Sequence, residues 1–185
     1  MGDRKMLMKA LVTLSLILLI TACKTSYQNT QAIGIGSPIT ETKIQAWNID
    51  VGSTGAGLPD GSGTVEMGKV IYQQQCASCH GDKGQGGVAN RLVGGGSLNS
   101  NTPVKTVGSY WPYSTTIFDY IRRAMPHNAP QSLTNNQVYA ITAYILFLNN
   151  IVPADAEMNA HSLPLVRMPN RDGFIPIERR ALGVL

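Results

Sequence analysis

The sequence predicts an all-α domain over residues 64–152, with an irregular arm before it and an extended tail after it. Two observations predict this class. Apolar side chains recur at helical spacing in three separate segments, and Pro126 stops the second segment while a capping box starts the third. The three segments are 64–75, 115–124 and 134–148. Residues 23–63, in contrast, are rich in Ser, Thr, Gly and Pro, and the prolines spaced along residues 153–185 keep that tail from being helical throughout.

The first helix carries small and aromatic side chains, Gly68 and Tyr72, on one face. Where the first and last helices cross, Tyr144 is expected to pack against Gly68. Ser114 is the predicted N-cap of the second helix, and Pro126 stops that helix just after Met125.

The last helix has the clearest pattern in the chain. Thr134 and Gln137 fit a capping box, in which each side chain bonds the backbone of the other residue. An apolar stripe follows from Val138 to Leu148. We therefore expect ordinary helix packing along this face.

Residues 76–80 read Cys-Ala-Ser-Cys-His, the attachment sequence of a c-type haem. Two thiols on one helical turn can each add to one vinyl group, so Cys76 and Cys79 are predicted to form thioether bonds. His80 then follows as the proximal iron ligand. The chain has one such motif, which predicts one covalent haem c.

Other interpretations of the pair of cysteines explain less. A structural zinc site needs about four ligands, but Cys23 is the only other cysteine. A thioredoxin-like motif belongs near a βαβ pattern, whereas this motif is flanked by a helix and a glycine-rich loop over residues 81–96. A disulfide would leave His80 without a role. The glycines of the loop suit backbone that turns tightly and approaches a porphyrin closely.

Met125 is the predicted distal iron ligand. Pro126 restrains Met125 to an extended backbone, which frees its thioether to reach a haem from the side opposite His80. Methionine also fills irregular gaps in cores, so a packing role stays open. His127 is the rival ligand and would give a bis-histidine site of lower potential.

The N-terminus predicts export. Basic residues precede a short apolar run in residues 1–22, the pattern of a signal peptide. Ile20–Cys23 resembles a bacterial lipobox, which predicts an acylated Cys23 and a lipoprotein on the periplasmic side of a membrane. Lys24 favours the outer membrane. An ordinary cleavage site without the anchor is the alternative.

Charge argues against nucleic-acid binding. The net charge of +4 falls to +2 once residues 1–22 are removed, because that segment carries three basic side chains and one acidic one. Within the arm, residues 44–51 are the only part apolar enough to pack, and Trp47 is the expected anchor. The tail, residues 153–185, is expected to wrap the domain or to serve as a docking strap for a partner; disorder is the alternative.

Together the helices, the motif and the Met-Pro pair resemble class I cytochromes c. Eight segments between about residues 44 and 175 are similar to the cytochrome subunit of bacterial sulfite or sulfane dehydrogenases: Trp47–Val51, Gly57–Gly63, Arg91–Gly95, Val107–Tyr113, Asp119–Pro126, Asn128–Pro130, Val138–Ala140 and Met168–Phe174. The resemblance implies a single-electron carrier, not itself an enzyme, that is reduced by a molybdenum-cofactor dehydrogenase subunit. The expected acceptor is another cytochrome c or a terminal oxidase.

Tyr110, Trp111 and Arg122 are candidates to bind the haem propionates, because their donors sit on apolar or planar groups. Packing is the alternative for the two aromatic residues. The chain departs from the class I pattern after the motif, since no proline follows to orient His80 with its carbonyl. Two other functions stay open: a haem enzyme with a labile distal ligand, acting as a peroxidase or on thiosulfate, and the electron-entry subunit of another periplasmic dehydrogenase.

Overall fold

The structure is a computed structural model that describes residues 36–175. The predicted signal peptide, Cys23 with its anchor, and the last ten residues of the tail lie outside the described residues. The chain divides between Ile44 and Gln45 into two units, and the second unit holds every element from residue 62 onward.

Six α-helices, one 3₁₀ helix (Leu163–Leu165) and two short strands form within residues 36–175. The α-helices are α1 (Glu41–Trp47), α2 (Val65–Gln75), α3 (Ala77–His80), α4 (Val107–Tyr110), α5 (Ser114–Ala124) and α6 (Asn135–Leu148). Strands β1 (Ser62–Thr64) and β2 (Glu157–Asn159) pair antiparallel, with Gly63 opposite Met158. The all-α prediction therefore omits a two-stranded sheet, whose three-residue strands are too short for an alternating pattern to indicate them.

The caps explain where the main helices begin. Thr64 Oγ1 accepts a hydrogen bond from Met67 N (3.2 Å) at the start of α2. The capping box that was predicted from Thr134 and Gln137 is confirmed at the start of α6. Ser114 is not the cap of α5: it is the first helical residue, and its hydroxyl instead donates to the carbonyl of Leu163 (2.6 Å).

The core lies where α2 crosses α6. A Cβ on Gly68 would collide with the carbonyl oxygen of Ala140 and lie 2.8 Å from Cβ of Tyr144, so glycine permits this close approach. The predicted contact between Gly68 and Tyr144 is confirmed. Residues 138–146 are all buried, because α6 is surrounded by α2, α5 and the two strands and does not present a single stripe to the core.

The arm differs from its prediction. Residues 41–47 form a helix, and the Trp47 side chain is 84% exposed, so its predicted role as an anchor is wrong. Val51, which belongs to the segment expected to pack, does contact the core, and so does Leu58. The carbonyl of Pro59 accepts a hydrogen bond from the buried Tyr139 hydroxyl (2.8 Å), and burial raises the pKa of Tyr139 to about 12.

The tail packs on the domain as far as it is described. Leu163 and Met168 are fully buried in the core. The Asn170 side chain donates to the carbonyl of Tyr110 (2.6 Å), and the Phe174 ring meets the Tyr110 ring edge-on. Among the helices of residues 36–175, none has the length and apolar composition needed to span a bilayer.

Candidate haem site

The attachment motif lies at the junction of α2 and α3. The backbone N–H of Cys76 donates to Tyr72 O (2.9 Å) and that of His80 donates to Cys76 O (2.9 Å), so the helical path continues through the motif. Cys76 is half-buried against the core, whereas Cys79 is exposed. Burial, together with the nearby Cys79, raises the pKa of the Cys76 thiol to about 11. The free thiol of Cys76 is therefore neutral at pH 7.

The His80 ring is oriented by a backbone carbonyl. Its Nδ1 lies 2.7 Å from the carbonyl oxygen of Asn90. Since a carbonyl only accepts, Nδ1 carries the proton and Nε2 keeps its lone pair for a metal. The sequence offered no proline for this purpose and left the partner of His80 unidentified; Asn90 supplies the missing acceptor.

The glycine-rich loop brings Asn90 back to the motif. Gly86 N donates to His80 O (2.8 Å) and Ala89 N donates to Cys79 O (3.0 Å), so the loop lies directly on the attachment turn. A Cβ on Gly87 would lie 2.8 Å from Cys79 O, tighter than the usual contact. The glycines thus allow the loop to pack closely on the motif. This is a second reason for their presence, in addition to the predicted approach of the loop to a porphyrin.

Met125 lies immediately after α5, where the sequence predicted an extended residue at the end of that helix. Its backbone is extended, with φ −121 and ψ 147, while its N–H still bonds the carbonyl of Ile121 (3.0 Å). The Met125 side chain is half-buried against the core, whereas His127 is exposed. Of the two candidate ligands, only Met125 lies on the apolar side of the chain.

These groups fit a covalently bound haem. They comprise two thiols on one turn, an imidazole with a free Nε2, and a thioether from a separate segment. Two of these groups, Cys76 and Met125, are half-buried against the core, as are the side chains of Leu92 and Trp111, which suits an apolar cofactor. The haem would supply the redox chemistry, and these residues would attach, ligate and shield it.

The three residues expected to bind propionates each contact another residue of this chain. The Tyr110 ring lies under Lys105 Nζ (4.8 Å from the centroid), and the Trp111 ring meets the Tyr120 ring edge-on. Arg122 Nη1 donates to the carbonyl of Ile49 (3.4 Å). Tyr110 also lines a groove of about 880 Å³ that includes none of the attachment or ligand residues. Propionate binding by these side chains stays a prediction.

Asn149 is a site residue that the sequence did not indicate. Its side chain accepts from Gly94 N (3.1 Å) and donates to the carbonyls of Leu92 (3.2 Å) and Ile145 (2.9 Å). These bonds fasten the end of α6 to the loop that carries Leu92. The only signal in the sequence was an Asn-Asn pair after the last helix, which marks a helix end without naming its contacts.

The chain is similar to a cytochrome family and to dehydrogenases of known sequence or structure. Residues 63–145 match the family described as cytochrome c oxidase, cbb3-type, subunit III. The crystal structure of the sulfane dehydrogenase SoxCD from Paracoccus pantotrophus aligns with a TM-score of 0.74 and 41% identity, over 81% of this chain and 75% of the matched chain. The thiosulfate dehydrogenase of Stutzerimonas stutzeri is 31% identical over 93 residues, which are 47% of this chain and only 28% of that relative.

The fold and the site define a c-type cytochrome, a haem electron-transfer protein with one covalently bound haem c. More narrowly, the chain belongs to the family of c-type cytochromes related to sulfur oxidation, since it is 41% identical to the SoxCD chain and covers three quarters of it.

Proposed function

We propose that the protein is a single-electron carrier in which His80 and Met125 hold both axial positions of the haem iron. The observation that carries this proposal is the placement of Met125, which is half-buried on an extended residue after α5 while His127 is exposed. With both positions held, a substrate has no vacant coordination site. Electrons then enter and leave through the haem edge by contact with partner proteins.

The proposed electron donor is a molybdenum-cofactor dehydrogenase subunit that acts on sulfite or sulfane sulfur. The 41% identity to a chain of the sulfane dehydrogenase SoxCD supports this donor. In that assembly the present chain would be the non-catalytic subunit. The proposed acceptor is another cytochrome c or a terminal oxidase.

The donor is tested by reduction of the ferric protein in a stopped-flow spectrometer. We expect sulfite to reduce the haem when the molybdenum subunit is present, and neither sulfite nor thiosulfate to reduce it alone, because both axial positions are held. Rapid reduction by either anion without a partner contradicts the carrier function. No reduction by the complete mixture contradicts this donor while leaving the carrier function intact.

Docking through the tail must be tested with a variant that leaves the packing of the core unchanged. Deleting the chain after Leu163 would remove the buried Met168 and would test folding instead. The exposed Arg167, whose side chain is 77% exposed and pairs with Asp172, suits a charge reversal to Glu. In the stopped-flow assay, slower reduction by the partner at low salt with an unchanged visible spectrum supports docking there. Lys69→Glu, an exposed reversal on α2, is the matched control.

A second candidate function is direct oxidation of thiosulfate. The 93-residue match to a thiosulfate dehydrogenase favours it, although that relative is much longer than the matched segment. This function requires a distal ligand that leaves the iron. Thiosulfate alone would then reduce the haem, in contrast to the result expected of the carrier.

We also propose that the mature protein begins at Cys23 and is held on the periplasmic side of a membrane by acyl chains. One chain binds a bilayer marginally, but several together anchor stably. The wild-type protein should partition into the detergent phase and incorporate a labelled fatty-acid precursor. Cys23→Ala should do neither, and Cys79→Ala, which keeps Cys23, is the control. Unlabelled, fully soluble wild-type protein contradicts the anchor.

A further inference from the structure

One face of α5 is held by a segment of the arm, residues 49–53, which we call the arm strap. Val51 N donates to Asp119 Oδ1 (3.1 Å), at the centre of this contact. Arg122 donates to the carbonyl of Ile49 (3.4 Å) and Thr115 to that of Ser53 (3.4 Å). Arg123 Nη2 bridges Asp119 and Asp50, at 2.8 Å from each carboxylate. Positions 115, 119, 122 and 123 recur at helical spacing, so they form one continuous face.

The opposite face of α5 is buried in the core through Ile117, Phe118 and Ile121. The helix is therefore held from both sides, by apolar packing on one and by hydrogen bonds from the arm strap on the other. Met125 follows its last residue and is still bonded through its N–H to Ile121. A shift of α5 would therefore move the backbone of Met125, from which the thioether extends.

Asp119 makes the strongest contact of the arm strap. Its carboxylate accepts from a backbone N–H and from a guanidinium, and charged acceptors form the stronger hydrogen bonds. The Asp119 side chain is only 25% exposed, whereas that of Asp50 is 80% exposed. The exposed pair between Asp50 and Arg123 is expected to contribute little.

We propose that Asp119 is a positioning residue: through the arm strap it fixes the end of α5 and thereby sets how firmly Met125 holds its axial position against an incoming ligand. This role depends on the proposed ligation by Met125. Asp119 itself acts at a distance, through the helix and its strap.

The test is a spectrophotometric titration of the ferric holoprotein with imidazole, which competes with the distal thioether. Asp119→Ala should bind imidazole about tenfold more tightly than wild type, a difference of about 1.4 kcal/mol. Asp50→Ala is the control and should stay within about twofold, because only the exposed pair is lost. Asp119→Asn should return most of the wild-type affinity, since its amide oxygen can still accept from Val51 N.

A second set of variants separates the arm strap from the ligand assignment. In the Met125→Ala background the effect of Asp119→Ala should vanish, since no thioether remains to be positioned. If Asp119→Ala has the same imidazole affinity as wild type while Met125→Ala binds imidazole more tightly, the positioning role of Asp119 is overturned and the assignment of Met125 as ligand is supported. If Met125→Ala has the same imidazole affinity as wild type, the assignment of Met125 as ligand and the positioning role of Asp119 are both wrong. Should Asp119→Ala not fold, Thr115→Val removes another contact of the same face and should shift affinity in the same direction; no shift overturns the proposal.

Discussion

Replacing Cys76 and Cys79 together with alanine should leave a protein that carries no covalent haem. Each thiol supplies one thioether bond, and no third cysteine lies in residues 36–175. Haem that still associates through His80 should be removed completely by acid-acetone extraction. The measurement is the haem left in the precipitate, together with the intact mass. Ser78→Ala, at the exposed position between the cysteines, is the control and should keep the full covalent load.

The two single variants should differ in their effect on the fold. Cys76 is half-buried and packs against the core, whereas Cys79 is exposed. Each single variant keeps one thioether bond, but Cys76→Ala also removes a core contact and should lower the melting temperature more. Covalent haem in the double variant would refute attachment at this motif, whatever the stabilities of the single variants.

The helices could be predicted, and the attachment residues could be proposed, because their signals are local. The thiols of Cys76 and Cys79 and the imidazole of His80 lie within five residues, and the capping box of α6 within four. The restraint of Pro126 on Met125 is likewise a property of neighbouring residues. Side-chain chemistry at short spacing therefore identified the cofactor before any fold was known.

The orientation of His80 could not be predicted in the same way. Asn90 acts through its carbonyl, a group that every residue carries, so its identity gives no signal. What places this carbonyl is the hydrogen bonding of the loop to Cys79 and His80. The sequence indicated that the loop turns tightly, but not which oxygen faces the ring.

Long-range contacts were missed for a related reason. The hydrogen bond between Val51 and Asp119 joins residues 68 apart. Hydropathy predicted that residues 44–51 would pack with Trp47 as the anchor, but it did not indicate this partner. Ser114 was assigned as a cap because serine suits that position, yet a tertiary partner, the carbonyl of Leu163, takes its hydroxyl. Local preference is overridden wherever a distant segment offers a better contact.

The distal ligand should control the potential of the protein. Ferric wild type should show the weak near-infrared band of methionine bound to iron, and Met125→Ala should abolish it. Thioether sulfur favours ferrous iron, so its loss stabilises the ferric state and lowers the reduction potential, by roughly 0.1 V or more. The measurements are the near-infrared spectrum and a spectroelectrochemical titration of the purified holoprotein.

Two controls test whether the effect belongs to Met125 itself. His127→Ala should leave the band and the potential unchanged, because His127 is exposed. Met67→Ala changes a methionine that is 49% exposed on α2, and this variant should also leave the band and the potential unchanged. If Met125→Ala keeps the band while His127→Ala alters the spectrum, the assignment of Met125 is wrong. A low wild-type potential without the band would indicate bis-histidine ligation, because imidazole favours ferrous iron less than a thioether does.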